Sequence, residues 1–176
     1  MADKLTYRTL INSDREVLLA LQSRVLSALP DPRWYFPSEE WEMEHWFETG
    51  EAIGCFEDST LCGFGVLSPA EGRENHSYAC ALGQDPQRTF DFHDVMVDVP
   101  YRRRGIHTRL IALFTEIVRN RGGRAIYATV DPENAPSRRN FERAGFLPQA
   151  TQPAYDGRPR VYYRLTLKPL EEPPKC

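Results

Sequence analysis

The chain of 176 residues contains no Cys-x-x-Cys pair. Its four cysteines (Cys55, Cys62, Cys80 and Cys176) are scattered, which removes the ligand spacing of a zinc finger or a thioredoxin-like site, and no metal is expected. It has no run of about 18 apolar residues, so no membrane-spanning helix is expected. The opening stretch MADKLTYRTLINSDRE is too polar for a secretory signal, and a cytoplasmic protein with reduced thiols is the expectation. Gly-x-Gly-x-x-Gly is absent, and no Gly-Lys-Ser/Thr follows the glycines. A dinucleotide site and a P-loop are therefore disfavoured. Repeats and low-complexity stretches are also missing. What is present, 41% hydrophobic and 27% charged residues, argues against disorder and for one domain over 1–176.

The net charge of −3 conceals a split. Residues 30–100 hold fifteen Asp or Glu against three Arg, whereas residues 101–143 hold ten Arg against four acids. Such a division suits one anionic and one cationic partner, or simply two solvated faces.

Ser13-Asp14-Arg15-Glu16 has the form of a capping box and opens the apolar stripe Val17, Leu18, Leu21, Val25, Leu26, which predicts a helix up to Pro30. The three prolines of 30–37 predict irregular chain. Ser38 is placed to cap a second helix carrying Trp41, Trp46 and Phe47. Residues 52–57 and 61–67 predict two strands, and 68–90 a long polar connection that is a lid, a dimer contact or a loop without a role. Residues 92–99 predict a strand ended by Pro100. From Ile106 a wide apolar stripe predicts a helix stopped by Gly122-Gly123, and 124–130 a returning strand. Together they make a βαβ unit with a parallel pair. Asn134 predicts the cap of a third helix, and Asp156-Gly157 a hairpin joining a strand near 147–155 to 160–167. The class expected is α/β, or α+β, with one mixed sheet.

The most informative stretch is Arg102-Arg103-Arg104-Gly105-Ile106-His107-Thr108, between a strand end and a helix start. Amides at such a turn point outward, the helix dipole adds positive potential, and phosphates bind there. Arg102, Arg103, Arg104 and Arg109 reinforce it, and Gly105 lets a ligand approach the backbone. This stretch resembles the acyl-coenzyme A motif of the GNAT N-acetyltransferases, Arg/Gln-x-x-Gly-x-Gly/Ala after Val-x-Pro, with His107 in place of the second small residue. About thirty residues on, Asn134, Ser137, Asn140, Phe141, Glu142, Gly145 and Phe146 fall in register with the family's Asn-x-x-Ala-x-x-Leu-Tyr-Glu-x-x-Gly-Phe.

The resemblance implies a GNAT-like single domain. It has an acceptor-side half (about 1–90), an acyl-coenzyme A core (about 91–147) and a C-terminal hairpin (about 147–168), with the parallel strands splayed at the coenzyme site. It implies acetyl-CoA as co-substrate. The turn Arg103–Thr108 would hold the pyrophosphate, and the backbone of Val95, Met96 and Val97 the pantetheine arm. Asn134, Ser137 and Phe141 would flank that arm. The implied reaction is direct acyl transfer to an amine, which needs a base. His93 is the first candidate and Asp94, on the opposite face of a regular strand, the second. Phe141 stands where the family has a proton-donating Tyr. Ser137, Tyr127, Tyr162, Tyr163 or water would replace it, or the protein binds acyl-CoA without turnover. His107 would touch the phosphates or narrow the cleft.

Glu39, Glu40, Glu42, Glu44, Glu48, Asp91 and Asp94 would attract a small cationic amine, and Trp34, Tyr35 and Phe36 would hold a cation or a ring. Trp41 and Trp46 belong to the same cluster, and closing the core is the favoured reading for them. A sensor that binds acyl-CoA is the alternative, and a nucleic-acid-binding module using the arginines is a weaker one. No nucleic-acid motif is present, neither nucleic acid nor membrane is expected as a partner, and a homodimer is left open.

Overall fold

The computed structural model describes residues 5–154 and 156–168; Cys176 and the ends of the 1–176 domain lie outside the described residues. In chain order the elements are β1 (Leu5–Thr9), α1 (Arg15–Ser27), α2 (Glu40–Thr49), β2 (Ala52–Glu57), β3 (Thr60–Pro69), α3 (Tyr78–Ala81), β4 (Thr89–Val97), α4 (Ile106–Asn120), β5 (Ala125–Val130), α5 (Ala135–Arg143), β6 (Leu147–Pro153) and β7 (Pro159–Thr166). The strands form one seven-stranded sheet in the order β1-β2-β3-β4-β5-β7-β6. Only β4 and β5 run parallel, joined by the expected crossover through α4. The mixed α/β sheet flanked by helices is the class the sequence predicts.

Each face of the sheet has its own core. On one, Leu110, Phe114 and Val118 of α4 and Phe141 of α5 pack on Phe90, Phe92, Ile126 and Ala128. On the other, Leu18, Leu21 and Val25 of α1 and Met43 and Trp46 of α2 cover Phe56, Phe64, Val66 and Met96. Each such side chain contributes roughly 1.5–3 kcal/mol on burial. Tyr78 and Ala79 of α3 pack in a third cluster with Tyr127 and Tyr162.

Several local expectations change. The Ser13–Glu16 box does not form; instead the Asp14 carboxylate accepts the Ile11 N–H at 3.0 Å and pairs with Arg8 at 2.7 Å. Val17 is 42% exposed and leaves the stripe. Helix α2 begins after Glu39 rather than being capped by Ser38. Trp46 is buried, but Trp41 is 52% exposed and stays out of the core. β1 carries no strong sequence signal, because it is an edge strand with three of its five residues exposed. The long connection 68–90 contains α3 and the start of β4.

Candidate active site

The parallel pairing of β4 with β5 is short. Thr89–Phe92 pair with Ala125–Ala128, and there it stops. Beyond that point β4 stays with β3 (Val95 opposite Gly65, Met96 opposite Phe64, Val97 opposite Gly63), while β5 stays with β7. The strands thus part as the resemblance implies, and among the described residues the β5-facing edge of Val95–Val97 has no strand partner. Main-chain N–H and C=O groups there can pair with the amides of an extended ligand, as an added strand would.

β4 also carries a bulge. Between the pairs Gly65–Val95 and Leu67–Phe92, three steps on β4 answer two on β3. The facing of side chains reverses across it. Phe90 and Phe92 before the bulge, and Val95 and Val97 after it, all meet the α4–α5 core. His93 and Asp94 therefore share the remaining direction. Both line one cavity of about 210 Å³, which corrects the expectation that Asp94 faces away from His93.

After β4 the chain turns through a short 3-10 segment, Val99–Tyr101, capped by the Asp98 carboxylate. Arg103 and Gly105 then adopt left-handed conformations, φ +67° and +76°. A Cβ on Gly105 would meet nothing within 4 Å, so the space above that backbone is open. Ile106 is buried and fixes the start of α4. The first intrahelical bond runs from the Arg109 N–H to the Gly105 carbonyl at 2.9 Å, so the amides of Ile106, His107 and Thr108 precede it. Arg102, Arg103, Thr108 and Arg109 are exposed around this mouth. Arg104 differs: its Nη2 donates to Glu57 Oε1 at 2.6 Å, and its guanidinium lies over the Tyr101 ring.

His107 turns away from the turn's mouth. Asn140 of α5 donates to its Nδ1 at 2.9 Å, and the ring meets Phe92 and Phe141 edge-on, with centroids 6.3 and 5.1 Å away. Burial lowers its pKa to about 4, so the imidazole is neutral. Asn140 stands where the family pattern has Leu, and His107 where it has Gly or Ala. The two departures make one polar contact between α4 and α5.

Asn134 caps α5 as predicted, its side chain accepting the Ser137 N–H at 3.2 Å. Asn134, Ser137 and Phe141 line the same cavity as His93, Asp94 and Val95. Phe141 packs between Phe92 and Phe146. Among the proposed proton donors, only Ser137 reaches the cavity. Tyr127 and Tyr162 are buried in the α3 cluster, and Tyr163 donates to Glu142 at 2.6 Å and accepts from Arg138 at 3.0 Å.

The two candidate bases differ in charge. Burial, and then the electrostatic influence of Arg73 and His76, push His93 down to about 3. Its Nδ1 lies 3.4 Å from the Tyr78 hydroxyl. Burial, aided by Glu42, raises Asp94 to about 7, opposed by hydrogen bonds from Ser38 (2.7 Å) and Tyr35. Asp91 lies behind them, outside the cavity lining. Its carboxylate accepts the Tyr78 N–H at 3.2 Å, and burial raises it to about 7. Of the acidic residues expected to face the acceptor, only Glu42 and Asp94 line the cavity. Glu40 and Glu44 pair with Arg15, Glu39 accepts from Trp41, and Glu48 is exposed.

Trp34, Tyr35 and Phe36 do line the cavity, together with residues that no sequence motif marks: Arg73, His76, Tyr78 and Arg160. Arg160 is 1% exposed. It donates to Asp131 at 2.7 Å, to Asp156 at 3.3 Å and to the Arg33 carbonyl at 3.2 Å. Its only sequence signal is a cation near the start of a β-rich strand that also carries Arg164.

The profile of the Acetyltransferase (GNAT) family matches residues 22–146. This chain belongs to the GNAT acetyltransferases. Solved structures agree in fold. An N-acetyltransferase from Staphylococcus aureus Mu50 superposes with a TM-score of 0.71 at 20% identity, covering 94% of this chain and 99% of that one. The ribosomal-protein-S18-alanine N-acetyltransferase from Escherichia coli gives 0.66 at 17%, covering 96% and 97%. The yncA structure from Salmonella typhimurium, solved with its cofactor acetyl-CoA, gives 0.68 at 18%, covering 98% and 99%. No curated protein matches. GNAT enzymes use acetyl-CoA as co-substrate, and the parted β4 edge and the open Gly105 turn fit such a molecule. Among the described residues of this GNAT domain, no group of three or more His, Cys, Asp or Glu is placed to hold a metal, and no helix is long and apolar enough to cross a membrane.

Proposed function

We propose that this GNAT domain transfers the acetyl group of acetyl-CoA directly to a primary amine of a small cationic acceptor. The observation that carries the reading is the β4 bulge, which turns His93 and Asp94 into one cavity beside the unpaired edge of Val95–Val97. Acetyl-CoA supplies an activated acyl group as a thioester. The amides of Arg103–Thr108 grip its pyrophosphate, with Arg102 and Arg103 adding charge. Val95, Met96 and Val97 pair with the pantetheine arm, Asn134 faces its amides, and Ser137 and Phe141 flank the sulfur.

Asp94 and Glu42 draw the ammonium into the cavity. Asp94, raised to about 7, takes the proton that the amine must lose before its lone pair can attack. His93 is neutral and weakly basic, so it orients the acceptor rather than deprotonating it. The departing thiolate takes its proton from the Ser137 hydroxyl or from water, since Phe141 has none to give.

A second reading rests on Phe141: the domain binds acyl-CoA and does not turn it over. Release of free thiol from acetyl-CoA across a panel of amines, at several pH values, separates them. Amine-dependent release that strengthens through pH 7 supports the transferase. Tight coenzyme binding without release on any amine supports the sensor. The nucleic-acid reading gains nothing, because Arg104 and Arg138 are tied to Glu57 and Glu142.

A further inference from the structure

The acetyl-transfer reading asks only for an amine; two other atoms of the cavity ask for more. We propose that the acceptor also carries a carboxylate, received by Arg73 and by the indole N–H of Trp34. The inference rests on the acetyl-transfer reading and narrows its acceptor to an amino-acid-like zwitterion.

Trp34 ends the 3-10 turn Pro32–Trp34, and Arg73 lies in the connection after β3. Both line the cavity that holds His93 and Asp94. Trp34 Nε1 and Arg73 Nη1 are buried, and neither has a hydrogen-bond partner among the described residues. Buried polar atoms are nearly always paired, so each one that is not calls for an explanation. Both atoms are donors only, so the missing partner is an acceptor of hydrogen bonds.

Among the described residues, the anion paired with Arg73 is Glu51, whose Oε2 lies at 3.8 Å, beyond hydrogen-bond reach. Glu51 already accepts from the Ser68 hydroxyl and has His45 Nε2 at 3.4 Å. It holds the Arg73 guanidinium electrostatically and leaves Nη1 for another oxygen. The cavity's other arginine, Arg160, is already engaged by Asp131 and Asp156.

A carboxylate is the acceptor that suits. It takes two donors at once and balances Arg73 with a single charge. A dianionic phosphate would share about 210 Å³ with Glu42 and Asp94. A second cavity, lined by Trp41, His45, Gly72, Asn75 and the shared Arg73 and His76, gives an acceptor side chain room past the arginine. One rival account exists on the same face. Asp91 Oδ1 is also buried without a partner, and a water bridging it to Arg73 would satisfy both.

The test pairs amino acids with their amides and with aminoalkyl phosphonates, measuring thiol release from acetyl-CoA. Calorimetry measures binding of the same free amino acids, amides and phosphonates to the protein loaded with coenzyme A. The expected result is a preference for the carboxylates of about tenfold or more in kcat/KM and in affinity. In Arg73→Gln, and separately in Trp34→Phe, the ratio of acid to amide falls toward one, with the change in KM; Arg73→Lys keeps part of it. Equal use of acid and amide, preference for the phosphonate, or a ratio that survives in both variants overturns the proposal. The last of these is what the bridging water predicts. If no amine releases thiol, the transfer reading fails, and the calorimetric ratio still decides the carboxylate site.

Discussion

Ser38 Oγ donates to Asp94 Oδ2 at 2.7 Å, across 56 residues of sequence. The bond ties the segment ahead of α2 to the candidate base and stabilises its ionised form against burial. For kcat/KM, an acid limb with an apparent pKa about 7 is expected. Ser38→Ala moves that limb to higher pH, since the bond that favours the carboxylate is lost. Asp94→Asn removes the limb and costs about 10²–10⁴ in rate. His93→Gln lowers turnover but keeps the limb. A limb unmoved in Asp94→Asn would transfer the role to another group.

Asp91 makes stability pH-dependent with a definite sign. Its pKa rises from 3.8 to about 7, so between those values the folded chain keeps a proton that the unfolded chain has lost. Stability from this group is full below the unfolded value and declines as pH rises through the folded one. Asp91→Asn removes that slope while keeping an acceptor for the Tyr78 N–H. Thermal melts between pH 4.5 and 8 should show the variant gaining on the parent as pH rises (about 4.5 and 8 bracket the titration window).

A substitution at Gly105 tests the proposed coenzyme site separately from folding. The Gly105 φ of +76° favours glycine, so a side chain adds strain of about 1–2 kcal/mol, yet a Cβ would meet nothing within 4 Å among the described residues. Gly105→Val should melt a few degrees lower and lose coenzyme A affinity by about tenfold or more in calorimetry. Arg103→Ala should weaken binding in a salt-dependent way, whereas Arg104→Ala, which breaks the Glu57 pair, should leave affinity nearly unchanged.

His107 and Asn140 should behave as one unit. Asn140→Leu leaves the imidazole without a partner, and His107→Ala leaves the amide without one; each should cost about 1–3 kcal/mol. The double variant, which restores the small-plus-Leu pairing of the family pattern, should cost less than the sum. Denaturant unfolding of all four proteins gives the coupling.

The βαβ unit and the α5 cap were legible because they rest on local rules: a stripe of period 3.6, a stop at Gly122-Gly123, and an Asn that reaches its own Ser137 N–H. The turn and the helix cap proposed to hold the cofactor are built from the same short-range motifs, so their local geometry was legible too. The acceptor half is not local. A bulge in β4 depends on register with β3, which no window of sequence contains, and it alone puts Asp94 beside His93. Ser38 has the chemistry of a helix cap and serves a carboxylate far along the chain instead. The run of acids suggested an acidic wall, but Arg15 and Trp41 neutralise or occupy three of them, and the charged atoms left in the cavity include Arg73. A loop arginine carries no periodic signal by which to foresee this.

Arg160 makes the C-terminal hairpin part of the cavity's surroundings. Through Asp131, Asp156 and the Arg33 carbonyl, one guanidinium fastens together the start of the α5 loop, the β6–β7 turn and the segment bearing Trp34 and Tyr35. On the proposed reading, substitutions in that distant turn are expected to retune which amines are accepted while leaving the donor's grip intact, so that selectivity and coenzyme affinity diverge independently in descendants of this scaffold.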